Sequence, residues 1–240
     1  LPMSDNVELG LNLVHDEIGD VVQETNLNAD FAYKLPIQEN ATLALGLKAG
    51  ASFFSTDFSR LQLGSGAPAT DPSFAQNINQ TYPTIGIGAY YFSESYYIGL
   101  STPNLVASRH IEDENGVQRL GSENTHYFLT GGYVFEPSSE FQIKPSFMAR
   151  WVNGAPVSID LNANVRFYQR FEAGIGYRLD DAVTGMVNFE VTPGVRVGYA
   201  YDYTTSNLGE YNNGSHEIML LFDFDIFGKL PSYRKSPRFF

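Results

Sequence analysis

Residues 157–167 read VSIDLNANVRF. Successive side chains of an extended strand alternate faces. Val157, Ile159, Leu161, Ala163, Val165 and Phe167 therefore share one side, and Ser158, Asp160, Asn162, Asn164 and Arg166 the other. A helical period cannot separate those two sets, so the repeat is two. The alternation recurs along nearly the whole chain. It sets Val7, Leu9, Leu11 and Leu13 against Glu8, Gly10 and Asn12, and Leu27, Ala29, Phe31 and Tyr33 against Asn26, Asn28, Asp30 and Lys34. Leu43, Leu45 and Leu47 oppose Thr42, Gly46 and Lys48, and further segments follow near 85–91, 96–100, 127–135, 141–151, 171–179, 183–189, 195–203 and 217–226. About twelve strands result, most of them roughly 9 to 13 residues long, the span of tilted membrane strands.

Strands of this kind divide an apolar medium from a wet or ion-paired one. In a soluble sandwich the apolar side faces a core; in an outer-membrane barrel it faces lipid, and the charged side faces the lumen. Two features favour the barrel. Soluble strands more often run five or six residues. The connections also alternate in length: those near 36–40, 93–95, 136–139, 168–170 and 191–194 are short, and the long ones, near 59–80, 108–122 and 206–214, fall between them. Short turns on one rim and long loops on the other describe an outer-membrane barrel, with the short rim and both chain ends periplasmic. Aromatic residues near strand ends, at Tyr90–Phe92, Tyr96–Tyr97 and Tyr199–Tyr203, suit interfacial girdles. The chain thus reads as all-β, a transmembrane antiparallel up-and-down β-barrel over residues 1–227, followed by a tail over 228–240. His15–Gln23 reads as a polar turn, and 108–122 as an acidic loop.

Composition adds exclusions. A mean hydropathy of -0.19 is compatible with a membrane barrel, because half of each strand faces inward. No stretch approaches the roughly 18 apolar residues of a membrane helix. The absence of Cys excludes disulfides and Cys-ligated metal. A net charge of -12 argues against nucleic acid as a partner. The inward set carries Lys34, Lys48, Lys144, Arg150, Arg166, Arg178 and Arg196 beside Glu8, Asp30, Asp160, Glu172, Asp202, Glu217, Asp223 and Asp225. Both signs on neighbouring strands make cross-strand ion pairs available. A charge-balanced interior is expected rather than a wide conduit of one sign. Inward glycines, among them Gly50, Gly86, Gly174, Gly176 and Gly198, allow curvature or close packing of a large side chain.

No catalytic set emerges. His15, His110, His126 and His216 have no partner that the pattern places beside them, and neither G-x-S-x-G nor H-E-x-x-H occurs. Glu112-Asp113-Glu114 lacks the spacing of a calcium loop and reads as a solvated charge run. No enzyme activity, cofactor or metal is expected. The tail GKLPSYRKSPRFF is more informative. Lys229, Tyr233, Arg234, Lys235, Arg238, Phe239 and Phe240 follow an acidic last strand, and Pro231 and Pro237 forbid further sheet. This basic, aromatic segment is expected to dock either on the barrel's own acidic rim or on a periplasmic partner.

Several segments resemble one family. VHDEIGD (Val14–Asp20), LALGLKAG (Leu43–Gly50), YYIGLSTPNL (Tyr96–Leu105), HYFLTGGYVF (His126–Phe135), NGAP with VSIDLNAN (Asn153–Asn164), GYAYDY (Gly198–Tyr203), NNGSHEIML (Asn212–Leu220) and SPRFF (Ser236–Phe240) occur in order. Together they resemble the PorP/SprF family of type IX secretion outer-membrane proteins of the Bacteroidetes. The resemblance implies a 14-stranded barrel, so two strands and a signal peptide are expected before Leu1. It also implies a secretion or gliding-motility component that helps place a secreted adhesin on the cell surface and connects to periplasmic machinery. The alternative left open by the inward charges is a channel or substrate-specific porin.

Overall fold

The computed structural model describes residues 3–60, 77–105, 109–114, 117–122 and 124–223. Its strands are β1 (Val7–Ile18), β2 (Val22–Gln38), β3 (Ala41–Thr56), β4 (Asn79–Ser93), β5 (Tyr96–Thr102), β6 (Arg109–Glu114), β7 (Val117–Ser122), β8 (His126–Tyr133) and β9 (Phe135–Ser138). They continue as β10 (Phe141–Val152), β11 (Ser158–Phe167), β12 (Phe171–Arg178), β13 (Ala182–Thr192), β14 (Val195–Thr204) and β15 (Ser215–Phe222). Thirteen belong to one sheet ordered β1-β2-β3-β4-β5-β8-β10-β11-β12-β13-β14-β15, with β9 paired to β10. The twelve strands of that path are those the alternation predicts. β9 continues β8 after a break at Val134, whose N–H bonds the Ser95 carbonyl at 2.6 Å.

Two sequence expectations are corrected. The acidic stretch near 108–122 is not a plain loop: β6 and β7 pair as a separate antiparallel hairpin, with Arg109 opposite Ser122 and Glu114 opposite Val117. The polar stretch 15–23 is mostly strand, since β1 and β2 stay in register out to Ile18 and Val22. Backbone pairing carries that hairpin past the point where hydrophobic alternation stops.

The chain forms two compact units. One holds Leu1–Lys34, Leu45–Gly88 and Ser101–Tyr127, and includes the β1–β2 hairpin and most of β3. At its long connection Asp57 gathers the chain: the Ser59 hydroxyl donates to its Oδ1 at 2.5 Å, and Arg60 Nε lies 3.0 Å from its Oδ2. The Ser59 hydrogen bond leads in holding the Asp57 carboxyl below its ordinary range. Asn104 clamps another, donating to the Asn124 carbonyl at 3.3 Å and accepting from His126 N–H at 3.1 Å.

The second unit holds Leu35–Ala44, Ala89–Leu100 and Phe128–Phe240. Its β10–β15 segment is an unbroken antiparallel meander. Alternate connections are tight, at 139–140, 168–170 and 193–194, and those between them include the ten-residue stretch 205–214. Gly154 and Gly194 supply the positive φ their turns need, at 87° and 83°. Tyr168 and Gln169 do so without being glycine, at φ 50° and 57°, and close on the Arg170 N–H to Phe167 carbonyl bond of 3.0 Å. Two consecutive left-handed residues in a hairpin turn favour Asn-Gly. Exchanging Tyr168-Gln169 for Asn-Gly is expected to stabilise the protein by about 1–2 kcal/mol, read from denaturant unfolding.

The distribution of side chains is inverted relative to a soluble protein. Leu11, Leu13, Leu47, Leu161, Ile175, Val187, Ile218 and Leu220 are exposed. The buried residues are mostly polar: Asn28, Lys34, Thr42, Ser52, Thr56, Thr102, Lys144, Asp160 and Asn164. Among the described residues no large side chain is fully buried. Soluble monomers rarely expose apolar patches beyond a few hundred Å², and here the exposed apolar side chains run through strand after strand. A sandwich core is therefore excluded for these strands, and the apolar face requires a medium other than water.

Candidate functional site

The polar face collects the side chains that the apolar face cannot hold. Antiparallel register arranges them in rows across β10–β15. One row runs Met148, Asp160, Arg178, Ala182, Thr204; another Lys144, Asn164, Gly174, Met186, Ala200, Glu217; a third Gln142, Arg166, Glu172, Asn188, Gly198, Met219. Charge pairs follow the rows and their diagonals. Arg178 Nε donates to Asp160 Oδ1 at 2.7 Å, and its Nη1 lies 3.4 Å from Asp181. Asp202 accepts from the Thr184 hydroxyl at 2.9 Å. Arg196 reaches Asp223 at 3.5 Å, just beyond the end of β15. Arg166 Nη2 donates to the Gln169 carbonyl at 3.2 Å, and Arg150 Nη2 to the Ser158 hydroxyl at 3.4 Å. In the first unit Glu8 pairs with Lys34. Lys144 is buried, whereas Glu217 is exposed on its strand.

Packing on this face depends on small residues opposite larger ones. A Cβ on Gly176 would lie 2.6 Å from Asn162 Oδ1, and one on Gly174 would lie 2.9 Å from Asn164. The asparagine side chains thus lie flat over bare backbone. Asn164 then donates to Glu172 at 2.5 Å.

A second feature of the polar face is not legible as such in the sequence. Tyr90, Phe92 and Tyr97 form an inward cluster, with the Tyr90 ring 5.4 Å from Phe92 and 5.6 Å from Tyr97. Phe92 and Tyr97 are buried. These three residues are therefore not an interfacial girdle; of that group only Tyr91 and Tyr96 share the apolar face, 6.1 Å apart. Gly132 makes the cluster possible, since a Cβ there would lie 2.7 Å from the Tyr97 ring. The pairing of three aromatics of inward parity with a glycine of inward parity was the available signal.

A girdle does exist further along. Phe141, Phe167, Phe171 and Phe189 stand in register across β10–β13 near the tight turns, with successive ring centroids 5.2 and 6.3 Å apart for the first three. Near the other strand ends lie Tyr177, Tyr203 and His216, whose Nδ1 is 2.7 Å from the hydroxyl of the mid-strand Tyr199. Aromatic bands flanking an aliphatic zone are the mark of strands crossing a bilayer.

The family of type IX secretion system membrane proteins PorP/SprF matches residues 1–222. The chain belongs to that family. As a PorP/SprF protein it is a membrane component of a type IX secretion system, and its described strands form one up-and-down antiparallel sheet. Among solved structures it is similar to the toluene transporter TbuX of Ralstonia pickettii, at 11% identity and a TM-score of 0.45 over 87% of this chain and 70% of that one. A mutant of the Rh. blastica porin is similar over 91% of this chain and 100% of its own, at 13% identity and a TM-score of 0.39. No curated protein matches the sequence significantly.

The expected tail residues Lys229, Tyr233, Arg234, Lys235, Arg238, Phe239 and Phe240 lie outside the described residues, as does Asp225. Among the described residues no cluster of His, Cys, Asp and Glu has the arrangement of a metal site, and no helix is long and apolar enough to cross a membrane.

Proposed function

We propose that this PorP/SprF protein is an outer-membrane anchor that holds a secreted surface adhesin at its long-loop end or lumen mouth and couples it to periplasmic secretion or motility components. The family match over residues 1–222 carries this reading. The polar face supports it: Asp160, Arg178, Arg196, Asp223, Glu8 and Lys34 satisfy one another rather than leaving a field of one sign for a diffusing solute. The short turns face the periplasm, and residues 228–240 dock there through their basic and aromatic side chains. No catalytic role, cofactor or nucleic-acid partner is part of the proposal.

Truncation after Phe227 tests the tail. The shortened protein is expected to insert in the outer membrane at normal abundance while surface display of the adhesin falls severalfold, measured by antibody labelling of intact cells. Normal display would remove the tail from the mechanism. The porin alternative is separated by single-channel recording in planar bilayers, where an anchor with a paired interior shows no steady conductance.

A further inference from the structure

The chain contains three Asn-Gly pairs, at 115–116, 153–154 and 213–214. Asn115 and Gly116 lie outside the described residues. The other two pairs belong to the second unit and sit in connections at the same end of its meander, between β10 and β11 and between β14 and β15. Both glycines hold a positive φ of 87°. The chemical order and the glycine conformation are thus alike at the two places, and only the surroundings differ.

Those surroundings are opposite. Asn153 and Gly154 are both exposed, and a Cβ on Gly154 would meet nothing within 4 Å. Their turn is closed by the bond from Ala155 N–H to the Val152 carbonyl at 3.3 Å. The Gly154 N–H itself makes no hydrogen bond among the described residues. At 213–214 the chain is fixed. Gly214 N–H donates to Asn212 Oδ1 at 3.0 Å, and the Tyr201 hydroxyl donates to the Asn213 carbonyl at 2.6 Å. The backbone is also closely packed there, since a Cβ on Gly214 would lie 2.5 Å from the Asp202 carbonyl oxygen.

We propose that Asn153 is a site of spontaneous covalent modification, converting to isoaspartate and aspartate through a cyclic imide, and that Asn213 is protected from the same reaction. The Gly154 backbone nitrogen attacks Asn153 Cγ. A C–N bond forms, the bond from Cγ to the side-chain nitrogen breaks, and that nitrogen leaves as ammonia with the proton from Gly154 N–H. Water then opens the ring. Addition at the Asn153 backbone carbonyl leaves the chain running through Cγ, which is isoaspartate; addition at Cγ gives aspartate. One water is consumed and one ammonia released, and NH2 is exchanged for OH. Glycine suits the step because no Cβ hinders its nitrogen. At 154 that nitrogen turns toward Cγ in open space, whereas at 214 it must first give up its bond to Asn212, and Asn213 its bond from Tyr201. The product adds a carboxylate to a chain of formal charge -12, at the end of the meander that carries the longer connections. The modification does not rest on the anchoring function proposed above.

The test uses detergent-purified protein held in mildly alkaline buffer made with heavy-oxygen water, followed by digestion and peptide mass spectrometry. The peptide carrying Asn153 is expected to deamidate about tenfold faster than the one carrying Asn213, the effect of the hydrogen bonds that must break at the second place. Isoaspartate should exceed aspartate, with heavy oxygen in the new carboxyl group. In the urea-unfolded chain the two rates should converge. Asn212→Ala with Tyr201→Phe should raise the rate at Asn213 in the folded protein toward that at Asn153, which serves as the internal reference because unfolding would accelerate both. Equal rates in the folded protein, a faster Asn213 or a contrast that persists in urea would overturn the proposal. Aspartate without isoaspartate at 153 would overturn the cyclic imide, and an unmoved Asn213 in the double variant would overturn the protection.

Discussion

Ile175→Arg is expected to destabilise the protein in a lipid bilayer by about 2–4 kcal/mol, the depth-dependent cost of arginine at the midplane of a membrane strand. Ile175 is 69% exposed and points from the middle of β12, between Phe171 near one end and Tyr177 near the other. Its cross-strand partners on that face are Ala163 and Gly185, which cover little of it. In a water-facing strand so exposed a position would tolerate arginine within about 0.5 kcal/mol. Reversible urea unfolding from phospholipid vesicles measures the difference. A near-zero effect would mean that hydrocarbon does not wet this face.

The second large effect is expected at the Asp160–Arg178 pair on the opposite face. Asp160 is 9% exposed, and its Oδ1 accepts from Arg178 Nε at 2.7 Å. Its Oδ2 is buried with no donor among the described residues. Asp160→Ala leaves Arg178 with Asp181 at 3.4 Å as its remaining ion pair in the described structure. Breaking a fully buried pair costs about 3–5 kcal/mol, because the surviving charge is stranded. Arg178 is one-third exposed, and solvent screening reduces the expected loss to about 2 kcal/mol. The pair should therefore show a coupling of about 1–2 kcal/mol in a double-mutant cycle with Arg178→Ala, measured in the same vesicles. Additive single effects would show that the two side chains only share a neighbourhood.

These two positions illustrate what the chain discloses on its own. Ile175 and Asp160 are assigned to opposite faces by parity alone, and the structure keeps them there, because a register slip by one residue would exchange every outward and inward side chain. The strand path was legible for the same reason. Parity fails where both faces carry the same chemistry. At Tyr90, Tyr91 and Phe92 every position is aromatic, so the run by itself reads as a girdle; the parity of Ile85, Ile87 and Ala89 turns Tyr90 and Phe92 inward, and Gly132 across from Tyr97 shows the room for them once the strands are aligned. At His15–Glu17 and their partners Gln23–Thr25 both faces are polar, and the hairpin persists there through backbone pairing. The β6–β7 hairpin is masked likewise by its run of charge, Glu112-Asp113-Glu114. Turn chemistry gives no signal at Tyr168-Gln169, which lacks the Gly or Asn that a left-handed turn prefers; the alternation on either side places that turn. The charge pairs were legible as an inventory of residues, whereas their partners depend on register and on which side chains reach diagonally, as Arg196 does to Asp223.

Spin labels placed singly along β11, at Leu161, Asn162, Ala163, Asn164 and Val165, test the inverted arrangement most directly. In lipid vesicles the labels at 161, 163 and 165 should collide readily with molecular oxygen and little with a water-soluble nickel complex. Those at 162 and 164 should show low oxygen accessibility. Labels at 161, 163 and 165 that are shielded from oxygen and immobilised in a dry protein core, with 162 and 164 in bulk water, would contradict the membrane placement on which the secretion role depends.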